Sequence, residues 1–242
     1  MLSSSELLRY QRQITIPGFG LEGQEKLKRT HAFIAGVGGL GSPAAIYLAA
    51  AGIGTIRIVD VDDVDVTNLN RQILHFTKDT GRKKIVSGGE KLKELNPEIQ
   101  IEAVHENITQ DNINRLVAGC DLILDAVDNL ETRYILNRAA VENKIPLFHG
   151  AVSGFEGRVM TIIPGQTACL MCLYRGVSLT GKPPVIGFTP GVIACIQATE
   201  VIKYLTGMGR LLTNRFLVYD GLDMKFSEVS LQRDPQCRVC GL

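Results

Sequence analysis

Two Cys-x-x-Cys pairs, Cys169-Leu-Met-Cys172 and Cys237-Arg-Val-Cys240, hold four of the six cysteines in this 242-residue chain. Each spacing lets both thiolates reach one tetrahedral ion, and four sulfurs together close a structural zinc site with no open position. A redox dithiol competes for the same residues, but it needs one pair near a helix N-terminus, and two pairs suit zinc better. The pairs lie far apart in sequence, so the ion is expected to pin the C-terminal tail onto the body. Cys120 and Cys195 sit in apolar surroundings and read as buried small hydrophobes.

A second group of residues suits a phosphate. Gly36-Val-Gly-Gly-Leu-Gly41 carries the spacing of a dinucleotide-binding turn in Gly36, Gly38 and Gly41, with Gly39 between them. Such glycines take positive φ and bring backbone N–H groups close to a phosphate at a helix N-terminus. Asp60 follows at roughly 20 residues, where the fingerprint wants an acid for a ribose hydroxyl. The bland alternative is a tight strand–helix connection that binds nothing, and the fingerprint alone favours NAD by default.

Beyond Asp60, the stretch Asn68-Leu-Asn-Arg71-Gln72 offers amide and guanidinium donors just past a strand's carboxyl end, where open α/β sheets place ligands. Gly81-Arg-Lys-Lys84 puts three cations at the start of a helix, against its dipole, which suits a bound anion as well as a solvated basic turn. Asp128 and Asn129 stand at the end of a buried strand and the entry of a helix. Either can be the N-cap, and Asp128 can equally hold a magnesium ion on a triphosphate.

The elements that must position these groups read as follows. A helix over 5–13 presents Leu7, Leu8 and Tyr10 as its apolar side, with Arg9 and Arg12 on a solvated face. A connector over 14–20 and a polar helix over 22–29 lead into a strand at 31–35. Ser42 suits the N-cap, Pro43 the first position and Gly52 the residue past the end of the following Ala-rich helix. A strand at 55–60 precedes a helix from 81, weakened in its middle by Gly88-Gly89. Strands at 99–104, 121–127 and 145–150 alternate with helices at 111–118 and from 128 to about 143. From 157 the texture turns antiparallel, with a long helix over 191–205 and strands at 215–219 and 224–231. The fold class expected is α/β: a Rossmann-like, mostly parallel sheet with helices on both faces, continued by antiparallel strands in the C-terminal part.

Composition bounds the function. With 45% hydrophobic and 21% charged residues, the chain reads as soluble and globular. Its 26 Lys and Arg against 25 Asp and Glu leave a net charge of +1, so no global field favours nucleic acid or membrane. No leader and no apolar run of membrane-spanning length is visible, so the cytoplasm is the expected location.

Taken in order, Arg9-Tyr-Gln-Arg-Gln13, the turn from Gly36 to Gly41, Asp60, Asn68-Leu-Asn-Arg-Gln72, Gly81-Arg-Lys-Lys84, Asp125-Ala-Val-Asp-Asn129 and the paired Cys-x-x-Cys motifs form a specific set. Together they resemble the ThiF/MoeB/HesA family, bacterial relatives of the ubiquitin-activating enzymes, over nearly the whole chain, and its MoeB-like members most. The resemblance implies one domain over 1–242, with a nucleotide-binding half at 1–150 and a zinc-pinned, partner-binding half at 151–242. It implies ATP with magnesium rather than NAD. The reaction implied is adenylation of the C-terminal glycine of a small ubiquitin-fold sulfur carrier ending in Gly-Gly, for molybdopterin or thiamine biosynthesis.

The same resemblance assigns roles. Gly39, within the turn of Gly36, Gly38 and Gly41, contacts the nucleotide, and Asp60 takes the ribose. Asn68, Arg71 and Lys84 hold the phosphates, beside Gln72, and Asp128, next to Asn129, acts through magnesium. Arg12, and also Arg71, reach into the neighbouring subunit of a homodimer. Cys169, Cys172, Cys237 and Cys240 ligate zinc. In sulfur-transferring members a cysteine precedes the last long helix. Here 173–194 contains none and Thr180 stands about where it is expected, so adenylation alone is expected, with 181–187 as a loop over the partner's tail.

Rival readings are a nicotinamide oxidoreductase, which leaves Lys84, Asp128 and the four sulfurs without a task, a non-catalytic scaffold, and a relative that activates a carboxylate on tRNA. Near-neutral charge speaks against the last.

Overall fold

The computed structural model describes all residues except 176, 178–182 and 242. One eight-stranded sheet runs through the described residues, in the order β3-β2-β1-β4-β5-β6-β7-β8. The strands are β1 (His31–Ala35), β2 (Thr55–Val59), β3 (Gln100–Val104), β4 (Leu122–Asp125), β5 (Leu147–Ser153), β6 (Glu156–Ile162), β7 (Arg215–Asp220) and β8 (Lys225–Ser230). The first five are parallel, and β6, β7 and β8 continue antiparallel, as the sequence texture predicts. The helices are α1 (Ser4–Arg9), α2 (Gln11–Ile14), α3 (Gly20–Arg29), α4 (Gly41–Ala51), α5 (Lys84–Leu95), α6 (Ile113–Leu116), α7 (Leu130–Asn143), α8 (Leu170–Leu173) and α9 (Phe188–Thr206).

The two-residue period of the central strands sorts the core onto two faces. Ala32 and Ile34 of β1 join Leu122 and Leu124 of β4 and pack against α4, α5 and α9 through Leu48, Leu92 and Val201. Phe33, Ala35 and Ile123 point the other way, toward α6, α7 and α8 through Leu116, Leu136 and Leu170. Both faces are therefore covered, and β1 and β4 read as near-continuous apolar runs because they are buried on both sides.

Several local expectations change. The helix expected over 5–13 breaks at Tyr10, and Leu7 and Leu8 are 42% and 76% exposed, whereas Glu6 is buried. Glu6 tolerates burial because it closes a capping box with Ser3 and pairs with Lys28 at 2.6 Å. Its carboxyl stays below the usual range: burial raises it, but the bonds from Lys28 and Ser3 outweigh that. Ser42 is not an N-cap. Leu40 occupies that position, and the buried Ser42 hydroxyl donates to the Val37 carbonyl at 3.1 Å. Gly52 does close α4 in the left-handed region, at φ 90°. Helix α5 runs unbroken through Gly88, where a Cβ would lie 3.1 Å from Leu74 and 3.7 Å from Ile58 of β2, so this glycine lets the helix pack closely over the loop and the sheet. The helix expected over 111–118 is a single turn, and α9 begins three residues before its expected start.

No helix among the described residues is long and apolar enough to cross a membrane.

Candidate active site

Strand order reverses between β1 and β4, because β1 continues to β2 on one side and β4 to β5 on the other. A parallel sheet opens a crevice at the carboxyl edge of such a switch point. The turn after β1 and the turn after β4 meet there: a Cβ on Gly36 would lie 3.0 Å from the Ala126 carbonyl oxygen. Gly36 has φ 90°. A Cβ on Gly41 would fall 1.9 Å from the Gly36 carbonyl, so the turn closes on itself only with glycine at both ends.

Residue Val37 of this turn is held on both sides. Its N–H donates to Asp60 Oδ2 at 2.8 Å, while Asp60 Oδ1 accepts from the Asp62 N–H at 2.8 Å. Its carbonyl meets Ser42 Oγ and, at 3.1 Å, His75 Nε2. The other His75 nitrogen bonds Ser87 Oγ at 3.0 Å, and Lys91 Nζ donates to the same hydroxyl at 2.7 Å. These donors fix the tautomer: Ser87 donates to Nδ1 and His75 donates from Nε2. Burial lowers the His75 pKa, which keeps the ring neutral for that role.

The Asn68–Gln72 stretch lies against the same turn. Asp65 caps a 3-10 turn at Val66–Asn68, and Asn68 Oδ1 accepts from the Asp65 N–H at 3.3 Å. The Asn68 carbonyl receives the N–H groups of Arg71 and Gln72. A Cβ on Gly39 would sit 3.4 Å from Arg71 Cγ, and one on Gly38 would sit 3.7 Å from Gln72 Nε2. The Arg71 guanidinium donates to the Thr67 carbonyl and to Asn70 Oδ1, each at 3.0 Å. Gln72 is buried, and its Oε1 meets no hydrogen-bond partner among the described residues, an acceptor beside the glycine turn ready for a ligand's donor.

Lys84, the first residue of α5, is buried, with its Nζ 2.8 Å from Asp62 Oδ2. Its neighbour Lys83 pairs with Asp63 at 2.9 Å, and Arg82 pairs with Asp79 and Glu90. Of the three cations at this helix start, Lys84 is the one turned into the body.

Across the crevice, Asn129 caps α7 by accepting the Thr132 N–H at 2.8 Å, which leaves Asp128 outside the capping role. Asp128 is exposed on the turn between β4 and α7. A separate groove of about 490 Å³, between residues 107–110 and the face of α7 that includes Glu131 and Thr132, is lined by neither Asp128 nor the glycine turn.

Arg12 lies elsewhere. Its neighbours Tyr10 and Gln13 pack at the far end of α4, where Asn96 Nδ2 donates to the Tyr10 hydroxyl and Gln13 Nε2 donates to the Ala51 carbonyl at 2.7 Å. Helix α4 spans 11 residues, so about 16 Å separates that end from its own glycine turn. Arg12 is exposed there.

The four cysteines of the paired motifs come together, all sulfurs within 4.8 Å of one another. Cys169 and Cys237 are 3.7 Å apart, Cys172 and Cys240 3.5 Å. A disulfide needs about 2.05 Å. Tetrahedral thiolates about 2.3 Å from a zinc ion lie about 3.8 Å apart, close to the spacing seen. Burial opposes ionisation of Cys237, yet the N–H groups of Cys240 and Val239 bring it down to about 7. This donor set fits zinc. Cys120 is buried, as expected, and its thiol is pushed up to about 11 by burial; Cys195 is half-buried and also raised.

Sequence reasoning missed His75, His149, Arg133, Tyr174 and Gln197. His75, His149 and Gln197 are polar residues buried in apolar stretches, and that mismatch was the available signal; Arg133 and Tyr174 are buried beside charged neighbours, where patterning gives none. Thr180 and the first residues of the 181–187 loop lie outside the described residues.

Residues 10–239 match the family described as the ThiF family. The chain belongs to the ThiF family. This ThiF-family chain is 40% identical to the SAMP-activating enzyme E1 of Haloferax volcanii, over 99% of this chain and 91% of that protein. It is 38% identical to the sulfur carrier protein adenylyltransferase of Thermus thermophilus, over 99% of this chain and 92% of that one. Among solved structures, E. coli MccB with ATP superimposes with a TM-score of 0.89 at 25% identity, covering 99% of this ThiF-family chain and 75% of MccB.

Proposed function

We propose that this chain is an ATP-dependent adenylyltransferase that activates the C-terminal carboxylate of a small ubiquitin-like sulfur carrier ending in Gly-Gly. The observation that carries the reading is the convergence of the glycine turn, Arg71, Gln72 and Lys84 on one side of the switch-point crevice, with Asp128 on the other. The relatives named as a sulfur carrier protein adenylyltransferase and an activating enzyme support it.

A carboxylate that attacks the α-phosphate of ATP brings two anions together, and pyrophosphate must leave in line. The work required is alignment and neutralisation, with little covalent help. The glycine turn presents backbone N–H groups to the phosphates, and Asp60, already oriented by two backbone donors, takes the ribose. Asn68, Arg71 and Lys84 hold the phosphates, Lys84 by exchanging its Asp62 partner for phosphate oxygen. Asp128 would hold magnesium, which when bound neutralises charge on the leaving pyrophosphate. Arg12 cannot span α4 to its own site, so we assign it to the partner subunit's site in a homodimer. Arg71 reaches the glycine turn of its own chain.

Residues 1–150 form the nucleotide half and 151–242 the half pinned by zinc, which meets the carrier. In this reading the product serves thiocarboxylate formation for molybdopterin or thiamine biosynthesis, in the cytoplasm. A nicotinamide reading gives Lys84 and Asp128 no task. Incubation with ATP, labelled pyrophosphate and a carrier ending in Gly-Gly tests the proposal: carrier-dependent exchange of label into ATP is expected, and its absence overturns it.

A further inference from the structure

A buried chain of three side chains links the four-cysteine lobe to the turn that bears Asp128. Tyr174 is the C-cap of α8, the short helix that Cys169 precedes and that contains Cys172, its N–H bonded to the Leu170 carbonyl at 2.8 Å. Its hydroxyl lies 2.9 Å from His149 Nε2, and His149 Nδ1 lies 2.6 Å from Asp125 Oδ2. His149 and Asp125 are fully buried and Tyr174 nearly so. Asp125 accepts only, so His149 donates from Nδ1 and receives the tyrosine proton at Nε2.

Beyond Asp125 the chain reaches the site. Asp125 Oδ1 accepts the Val127 N–H at 3.2 Å, and Arg133 donates to the Val127 carbonyl at 2.8 Å while its Nε lies 3.5 Å from Asp125 Oδ2. Gln197 of α9 ties the Asp125 carbonyl to that of Phe148. Val127 is thereby fixed at both its polar atoms, one residue before Asp128. Nothing in the adenylation chemistry uses His149 or Tyr174, and the pair tolerates burial because both His149 nitrogens and the tyrosine hydroxyl are hydrogen-bonded, which fixes their geometry.

We propose that Tyr174 and His149 are positioning residues, which through Asp125 set the Val127–Asp128 turn from the four-cysteine lobe. The inference rests on the reading of Asp128 as a nucleotide-site residue. A lobe held by its metal keeps Tyr174 in place; Tyr174 holds the imidazole; the imidazole holds the carboxylate that orders the turn.

Hydrogen exchange on the full-length, metal-loaded protein tests this with Tyr174→Phe, His149→Asn and the double variant. Without nucleotide, amides over 126–133 should exchange about tenfold faster in Tyr174→Phe, the size of one lost buried hydrogen bond, while those of β6 stay unchanged. The double variant should match His149→Asn alone, since the two act in series. Unchanged exchange over 126–133, equal acceleration across the whole sheet, or additive effects overturn the proposal. A non-hydrolysable ATP analogue added to the wild type separates the two readings: protection over 36–41 and 126–133 supports the nucleotide site, and its absence removes that reading while the exchange comparison still decides the coupling.

Discussion

Lys84 and Asp62 are joined twice: the side chains meet at 2.8 Å, and the lysine N–H donates to the aspartate carbonyl at 3.0 Å. The lysine is buried while the Asp62 carboxylate is 61% exposed, so the partner can turn to water when an anion replaces it. Replacing Lys84 with Ala should cut pyrophosphate exchange by about 100-fold or more, the usual loss for one preorganised charge in a closed site. Asp62→Asn should cost less than about tenfold, because the main-chain contact remains. Equal losses in the two variants would make the pair structural.

Arg71→Ala and Asp128→Ala should each lower turnover far more than stability, since Asp128 is exposed and Arg71 only half-buried, both on surface turns outside the core. Urea melts alongside exchange assays check this. If either variant retains near-normal exchange, its assigned role is wrong.

Subunit mixing addresses Arg12. Arg12→Ala and Lys84→Ala homodimers should each be nearly inactive, and equilibrated mixtures should recover about one quarter of wild-type activity, from hybrids with one intact site. No recovery on mixing would place both residues in one chain's site.

Zinc analysis should return one ion per chain. Cys237→Ser should lose it and lower the melting temperature by about 6–12 °C, as expected for a deficit of about 3 kcal/mol in a chain of this size. A Cys237→Ser protein that retains full zinc and melts like the wild type would sink the four-sulfur assignment.

Acid should weaken the fold. Burial lowers the pKa of both His75 and His149, the latter against the pull of Asp125. Below about 6.5 the unfolded chain binds protons that the native chain refuses, so this stability is full above that pH and is lost as pH falls beneath it. Urea midpoints at pH 7.5 and 5.5 should differ, with a smaller difference in His75→Gln. Identical midpoints would mean the buried rings protonate in place.

The strands, the order of the sheet's two parts and the cysteine cluster were legible because period, glycine spacing and paired cysteines are local signals. The N-terminal helix was misread because Leu7 and Leu8 look like a core face, whereas Glu6 satisfies its charge through Ser3 and Lys28, a partner 22 residues away. His75 escaped notice for the same reason: its bond to Val37 spans 38 residues. Apolar patterning marks where a side chain is buried, and it carries no record of which distant polar group receives it.

Strand β5 outlasts its parallel neighbour. Its first three residues pair with β4 and all seven pair with β6, so Gly150 to Ser153 project past the end of β4 by about 13 Å. That overhang makes a fixed ledge along one flank of the crevice. In the proposed function, an extended carrier tail entering with its carboxylate first would have this ledge to lie against on its way to the phosphates.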